Sequence, residues 1–264
     1  MKWLCHLSEL TSNLNGAFMS KSIGLSRTVR LDWLDATATL CMENRPPAEI
    51  RQQLDKLVEP AQPGPVERAR IVDTLIRIWV KADPVLKANA TELYPHLSSR
   101  EDRLWLHYGM ILAQYPFFRL CAATLGQIAR TEDTVNRKMI KDRVAAEMGN
   151  LGSIERAIER LFKTWVDWGI LTPARNNLTF KIHTRSIPAS TVELEKWLLS
   201  CALSAHPADA IPFADLVHLP ELFPFRFSIA VDDLKRDNRF EVQRQGGGLE
   251  MIKLIEECDA NLKA

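Results

Sequence analysis

A mainly α-helical chain ending in two small units, each several helices followed by a β-hairpin, is the fold class this sequence predicts. Three observations carry it. No alternating, strand-like pattern precedes residue 170, whereas helical apolar stripes recur from residue 29 onward. Residues 153–182, SIERAIERLFKTWVDWGILTPARNNLTFKI, read as an amphipathic helix running directly into a hairpin. Residues 239–254 read as a second hairpin around Gly246, Gly247 and Gly248, which permit any turn geometry.

Taken in order, residues 1–24 are the least patterned, broken by Asn13, Asn15 and Gly16, and predict a loosely packed lead. Leu31, Leu34, Ala38, Leu40 and Cys41 suggest a helix over 29–42, ended by Asn44-Arg45-Pro46-Pro47. Pro47 suits the first turn of the next helix, which packs through Ile50, Leu54 and Leu57. Pro60, Pro63, Gly64 and Pro65 form a stiff connector. Ile71, Leu75, Ile78 and Trp79 stripe a helix over 66–81, and Asp83-Pro84 opens a shorter one toward Leu93. Ser99 with Asp102 resembles a cap for the helix through Trp105, Tyr108, Ile111 and Leu112, which Tyr115-Pro116 breaks. Residues 1–115 thus read as a helical N-terminal domain.

Residues 116–186 read as a unit with helices over 117–129, 138–148 and 153–168. In the last, Ile154, Ala157, Ile158, Leu161, Trp165 and Trp168 line one stripe, Ser153 is the expected cap, and Gly169 ends it in a left-handed conformation. Strands over 170–172 and 178–182 follow, joined by Pro173-Ala174-Arg175-Asn176-Asn177. Three helices and a hairpin in this order describe a winged helix-turn-helix. Residues 187–264 repeat the pattern: Ile187-Pro188 as a hinge, Ser190 with Glu193 as a capping box, a helix from Leu194 to Ala202, a short turn over 212–217, a third helix over 227–236, and the glycine-tipped hairpin. The predicted fold is therefore an N-terminal helical bundle followed by two winged helix-turn-helix modules with short β-hairpin wings.

Charge and motifs narrow the function. The 34 basic and 33 acidic residues nearly cancel, so a nucleic-acid surface must come from local segregation. Residues 130–185 hold eleven basic and seven acidic residues, while 31–59 hold three and six. In DNA-binding members of this architecture the third helix enters the major groove, about 12 Å wide. The candidate DNA contacts of the first module are Lys138, Lys141, Ser153, Arg156, Arg160 and Lys163, with Arg175, Asn176 and Asn177 on the wing. Arg156 and Arg160, four apart, share a helical face. Those of the second module are Arg226, Arg236, Arg239 and Arg244, with Ser228, Lys235 and Gln245 beside them.

Nothing points to catalysis. No GxSxG, HExxH or DxDxG is present, the six histidines are isolated, and no cofactor or metal site is expected. The triple glycine precedes a strand and lacks a following GK[ST], so it reads as a wing tip and not a nucleotide loop. The seven tryptophans lie mainly on apolar stripes and are expected in the core. Five dispersed cysteines, no membrane-length apolar run and no signal-peptide pattern predict a cytoplasmic protein.

The segment YPFFRLCAATLGQIARTEDTVNRKMI, followed by a helix ending in Trp165, Gly169, Ile170 and Leu171 and then a hairpin, resembles the BrxA family of bacterial BREX phage-defence loci over about residues 25–185. The resemblance implies a non-enzymatic, DNA-binding component of a defence system, with double-stranded DNA and other proteins of the same operon as partners. It carries over no base-reading residue. The alternative function is a protein-interaction scaffold whose winged helices dock a larger enzyme.

Overall fold

The computed structural model describes residues 23–149, 151–176 and 178–255. It is mainly helical with small sheets. Six helices lead: α1 (Leu31–Met42), α2 (Pro47–Val58), α3 (Pro65–Trp79), α4 (Pro84–Leu93), α5 (Arg100–Gln114) and α6 (Pro116–Ile128). Proline occupies the first position of α2, α3, α4 and α6, where a missing N–H costs nothing. Asp83 caps α4 by accepting from the Val85 and Leu86 amides, and the Ser99 hydroxyl accepts from Asp102 N at 3.0 Å to start α5.

Helix α5 is the central post. A continuous run from Leu104 to Leu112 is buried, the mark of a helix surrounded by others. One buried network ties it to α1 and α3. The Trp79 indole N–H donates to His107 Nδ1 at 3.1 Å, which leaves the proton on Nε2 to donate to Asp35 at 2.9 Å. Arg103 donates to the other Asp35 oxygen at 2.9 Å, and Tyr94 OH donates to the Asp35 carbonyl. Burial pushes the His107 pKa down, more than its bond to Asp35 raises it. Burial pushes the Asp35 carboxyl up, but the bonds from His107 and Arg103 outweigh it and hold it below its ordinary value.

After α6 come β1 (Thr134–Asn136), α7 (Arg137–Met148), α8 (Ile154–Asp167), β2 (Leu171–Pro173) and β3 (Thr179–Ile182), with the three strands antiparallel in the order β1-β3-β2. Strand β1 corrects the expectation of no strand before residue 170; three residues are too few to show alternation. The apolar stripe of α8 is buried throughout, and Gly169 ends the helix with φ 74°. Ser153, by contrast, makes no side-chain cap bond; its backbone is already helical, with φ −93° and ψ −10°.

The remaining chain contains β4 (Ile187–Pro188), α9 (Val192–Ala205), β5 (Ile211–Pro212), α10 (Phe213–Leu216), β6 (Phe225–Arg226), α11 (Val231–Lys235), β7 (Phe240–Gln245) and β8 (Leu249–Leu254). Ile187-Pro188 is a short strand parallel to β6 in place of the expected hinge. The cap of α9 is Thr191, accepting from Leu194 N, and not Ser190, whose own N–H donates to Asp102 at 2.9 Å. The helix expected over 227–236 shrinks to five residues, because the Ser228 and Ile229 amides donate to the buried Glu195 carboxylate at 2.8 and 2.7 Å. The glycine hairpin forms as expected, in register from Phe240 opposite Leu254 to Gln245 opposite Leu249. Its sheet has the order β5-β8-β7.

One apolar core runs through all of this. Tyr108 of α5, Phe118 of α6 and Phe225 of β6 meet edge to face, with centroids 5.0 and 4.8 Å from Tyr108. Trp33, Trp79, Trp105, Trp165, Trp168 and Trp197 are core residues, as the sequence predicts, while Trp3 lies outside the described residues. Cys41, Cys121 and Cys201 are buried thiols, and burial pushes Cys121 and Cys201 well above the ordinary range. Among the described residues, no helix is long and apolar enough to cross a membrane.

Candidate nucleic-acid interface

Helix α7 starts at Asn136, whose side chain accepts from Met139 N at 3.0 Å. The Arg137 guanidinium beside it lies 5.8 Å from the Phe162 ring and 5.1 Å from the Phe180 ring, joining α7 to α8 and β3. Helix α8 then packs its stripe inward and presents Glu155, Arg156, Glu159 and Lys163 outward.

Its far end is covered. Arg160 donates to the Ser26 carbonyl at 2.8 Å and pairs with Glu67 at 2.8 Å. The Thr164 hydroxyl accepts from Val29 N at 2.9 Å, and Asp167 accepts from Leu31 N at 2.8 Å, capping α1. This corrects the expected pairing of Arg156 with Arg160 on one open face. Arg160 is a tie to the N-terminal helices, whereas Arg156 is exposed and has no ion-pair or hydrogen-bond partner among the described residues.

The lysines are exposed but engaged. Lys138 pairs with Asp142 at 2.5 Å, Lys141 with Glu155 at 2.7 Å and Lys163 with Glu159 at 2.9 Å. The Glu155 carboxylate raises the Lys141 pKa, and Lys163 lowers that of Glu159. Such exposed pairs are weak, so competing phosphates can displace them. Ser153 is exposed at the helix start. On the hairpin, Asn176 Oδ1 accepts from Leu178 N, Thr179 N and the Thr179 hydroxyl at 3.0, 3.2 and 3.1 Å, so its oxygen builds the turn and only its amide N–H groups remain to donate outward. Asn177 lies outside the described residues. Arg175 is exposed without a partner among them, as are Arg143 on α7 and Lys181 on β3, two cations the sequence reading counted but did not assign to the surface.

In the second unit Arg239 is structural. It donates to Asp237 at 2.9 and 2.7 Å and reaches Glu193 at 3.4 Å. That bond holds the Asp237 carboxyl down to about 2. Ser228 donates its hydroxyl to Glu195, and Lys235 bridges Asp232 and Glu250. Arg236 is exposed and only loosely paired with Asp233 at 3.8 Å. Arg226 and Arg244 are exposed and have no partner among the described residues.

Six assigned positions therefore remain open to a ligand: Ser153, Arg156, Arg175 and the Asn176 amide N–H groups in the first unit, Arg226 and Arg244 in the second. Among the described residues, no group of three or more metal-ligating side chains comes together. No known protein family, curated protein or solved structure matches this chain.

Proposed function

We propose that this chain is a non-enzymatic binder of duplex DNA, built from a helical bundle and two winged helix-turn-helix units. One observation carries the reading: the same order of elements occurs twice, with the same strand pairing. In α6-β1-α7-α8-β2-β3 the early strand pairs with the last strand of the hairpin, and α9-β5-α10-α11-β7-β8 repeats this pairing, with the two-residue strand β6 inserted between α10 and α11. Two further features support it. The hairpins belong to separate sheets, so each is available as a wing. Unpartnered cations decorate both units: Arg143, Arg156, Arg175 and Lys181 on the first, Arg226 and Arg244 on the second. The buried end of α8 restricts its contacts to its first turns, the part of a recognition helix that reads base edges. A place in a bacterial phage-defence system, among proteins of the same operon, is part of the proposal and rests on the BrxA resemblance alone.

Fluorescence anisotropy with a random-sequence duplex tests this. Binding is expected at low salt and falls steeply as salt rises, because neutralised phosphates release counterions. Absence of binding at low salt rejects the reading. A second reading, an adaptor that docks a larger protein, draws on the engagement of Lys138, Lys141 and Lys163 by neighbouring carboxylates. It predicts no duplex binding in the same titration.

A further inference from the structure

We propose that a cavity of about 320 Å³ between the two hairpin units is a seat for a phosphate monoester. Three separate segments build it: the end of α6 with Arg130, the connection after β3 with Thr184 and Arg185, and the chain after α10 with His218. Every ionisable side chain lining it is basic, and no carboxylate lines it to neutralise Arg130 or Arg185. That distinguishes it from the surface around α7 and α8, where lysines and carboxylates alternate.

The polar groups are held in place with capacity left over. Arg130 Nη2 donates to the His218 carbonyl at 3.1 Å, fixing one edge of the guanidinium and leaving its other N–H groups uncommitted. His218 Nδ1 lies 2.8 Å from the Ala214 carbonyl and donates to it, so Nε2 remains uncommitted. Arg185 has φ 44°, a left-handed backbone rare outside glycine, and is held there by its N–H donating to the Phe223 carbonyl at 2.8 Å. Its guanidinium has no partner among the described residues. The rest of the wall, including Val217, Phe223 and Phe225, is apolar, while Arg130, Thr184, Arg185 and His218 are exposed around its mouth.

Two planar forks and a hydroxyl donate to the oxygens of a phosphate monoester, which arginine binds in bidentate fashion, and the His218 Nε2 lone pair can accept from the P–OH of the monoanion. The source is either a free mononucleotide or the 5′-phosphate end of a nucleic acid. None of the residues assigned to the duplex surface lines the cavity, so the inference stands apart from the duplex-binding reading.

Calorimetric titration of the full chain with inorganic phosphate and with a nucleoside 5′-monophosphate tests the seat, alongside anisotropy with a short single strand carrying or lacking a 5′-phosphate. Saturable binding of phosphate or the monophosphate is expected. Arg185→Gly keeps the left-handed backbone while removing the charge, and is expected to weaken binding about tenfold or more, as loss of a charge-assisted bond does. Its melting temperature stays equal to the parent's or rises. Arg130→Gln, which removes the charge but keeps a polar amide, is expected to weaken binding similarly. A preference for the phosphorylated strand that Arg185→Gly abolishes assigns a nucleic-acid end; mononucleotide binding without that preference assigns a free nucleotide, and each upholds the seat. Absence of saturable binding to both probes overturns it, as does binding by Arg185→Gly equal to that of the parent.

Discussion

The two hairpin units share an order of elements and differ in how they are attached. The first is fastened by polar ties from the far end of α8: Arg160 to Ser26 and Glu67, Thr164 to Val29, Asp167 to Leu31. The second has polar ties of its own, Ser190 N–H to Asp102 at 2.9 Å and the Tyr108 hydroxyl to the Glu221 carbonyl at 2.6 Å, and adds close approach of backbone and rings. Trp197 of α9 lies where a Cβ on Gly109 would stand, 2.5 Å from its indole nitrogen, and the Pro220 carbonyl lies against Gly126. The proportions differ too. The first unit has a third helix of 14 residues and hairpin strands of 3 and 4, whereas the second has a third helix of 5 and strands of 6 each.

Five substitutions sharpen this contrast, in order of decreasing effect. Gly126→Ala drives a methyl group into the Pro220 carbonyl, and backbone on both sides cannot yield cheaply. A loss of about 3 kcal/mol in denaturant unfolding is expected, at the upper end of overpacking costs. Glu195→Ala leaves the Ser228 and Ile229 amides and the Ser228 hydroxyl without their acceptor in a buried setting. It is expected to cost about 2 kcal/mol, with hydrogen exchange accelerated in the second unit and unchanged in the first.

The bundle's own lock responds to pH. Folded His107 resists protonation, so the unfolded chain binds more protons below the ordinary imidazole value near about 6.5. Stability is then full above that pH and falls as the pH drops through it. The depressed Asp35 carboxyl acts in the same direction further down, its contribution lost as the pH falls below about 4. Thermal melts are expected to fall between about pH 7 and about pH 5, and His107→Gln to flatten that decline.

The smallest stability effects separate two neighbouring arginines. Arg160→Ala removes a partly exposed tie and is expected to cost about 1 kcal/mol without weakening duplex binding. Arg156→Ala is expected to leave the melt within about 0.5 kcal/mol of the parent and to weaken duplex binding. Reversal of that pair of results breaks the distinction drawn between them.

Local chemistry explains what the sequence made legible. The α8 stripe, the Gly169 stop and the glycine hairpin are each decided within a few residues, and each is found. What escaped depends on distant partners. Ile229, Ala230 and Val231 mimic a helical stripe, but Glu195, far back in the chain, captures the amides that would have started the helix. Arg160 looks like a twin of Arg156 until Glu67 and Ser26 come alongside. Strand β1 exists because Val135 pairs opposite Phe180, a relation no short window contains. The phosphate seat draws on three segments and has no sequence motif.

The central claim is that open cations on both units grip a DNA backbone. The most direct test is the slope of log affinity against log salt for parent and for the combined variant Arg156→Ala, Arg175→Ala, Arg244→Ala. Each lost phosphate contact is expected to reduce the magnitude of the slope by about 1, with the melting temperature unchanged. Equal affinity and equal slope for parent and variant at every salt concentration contradict the account.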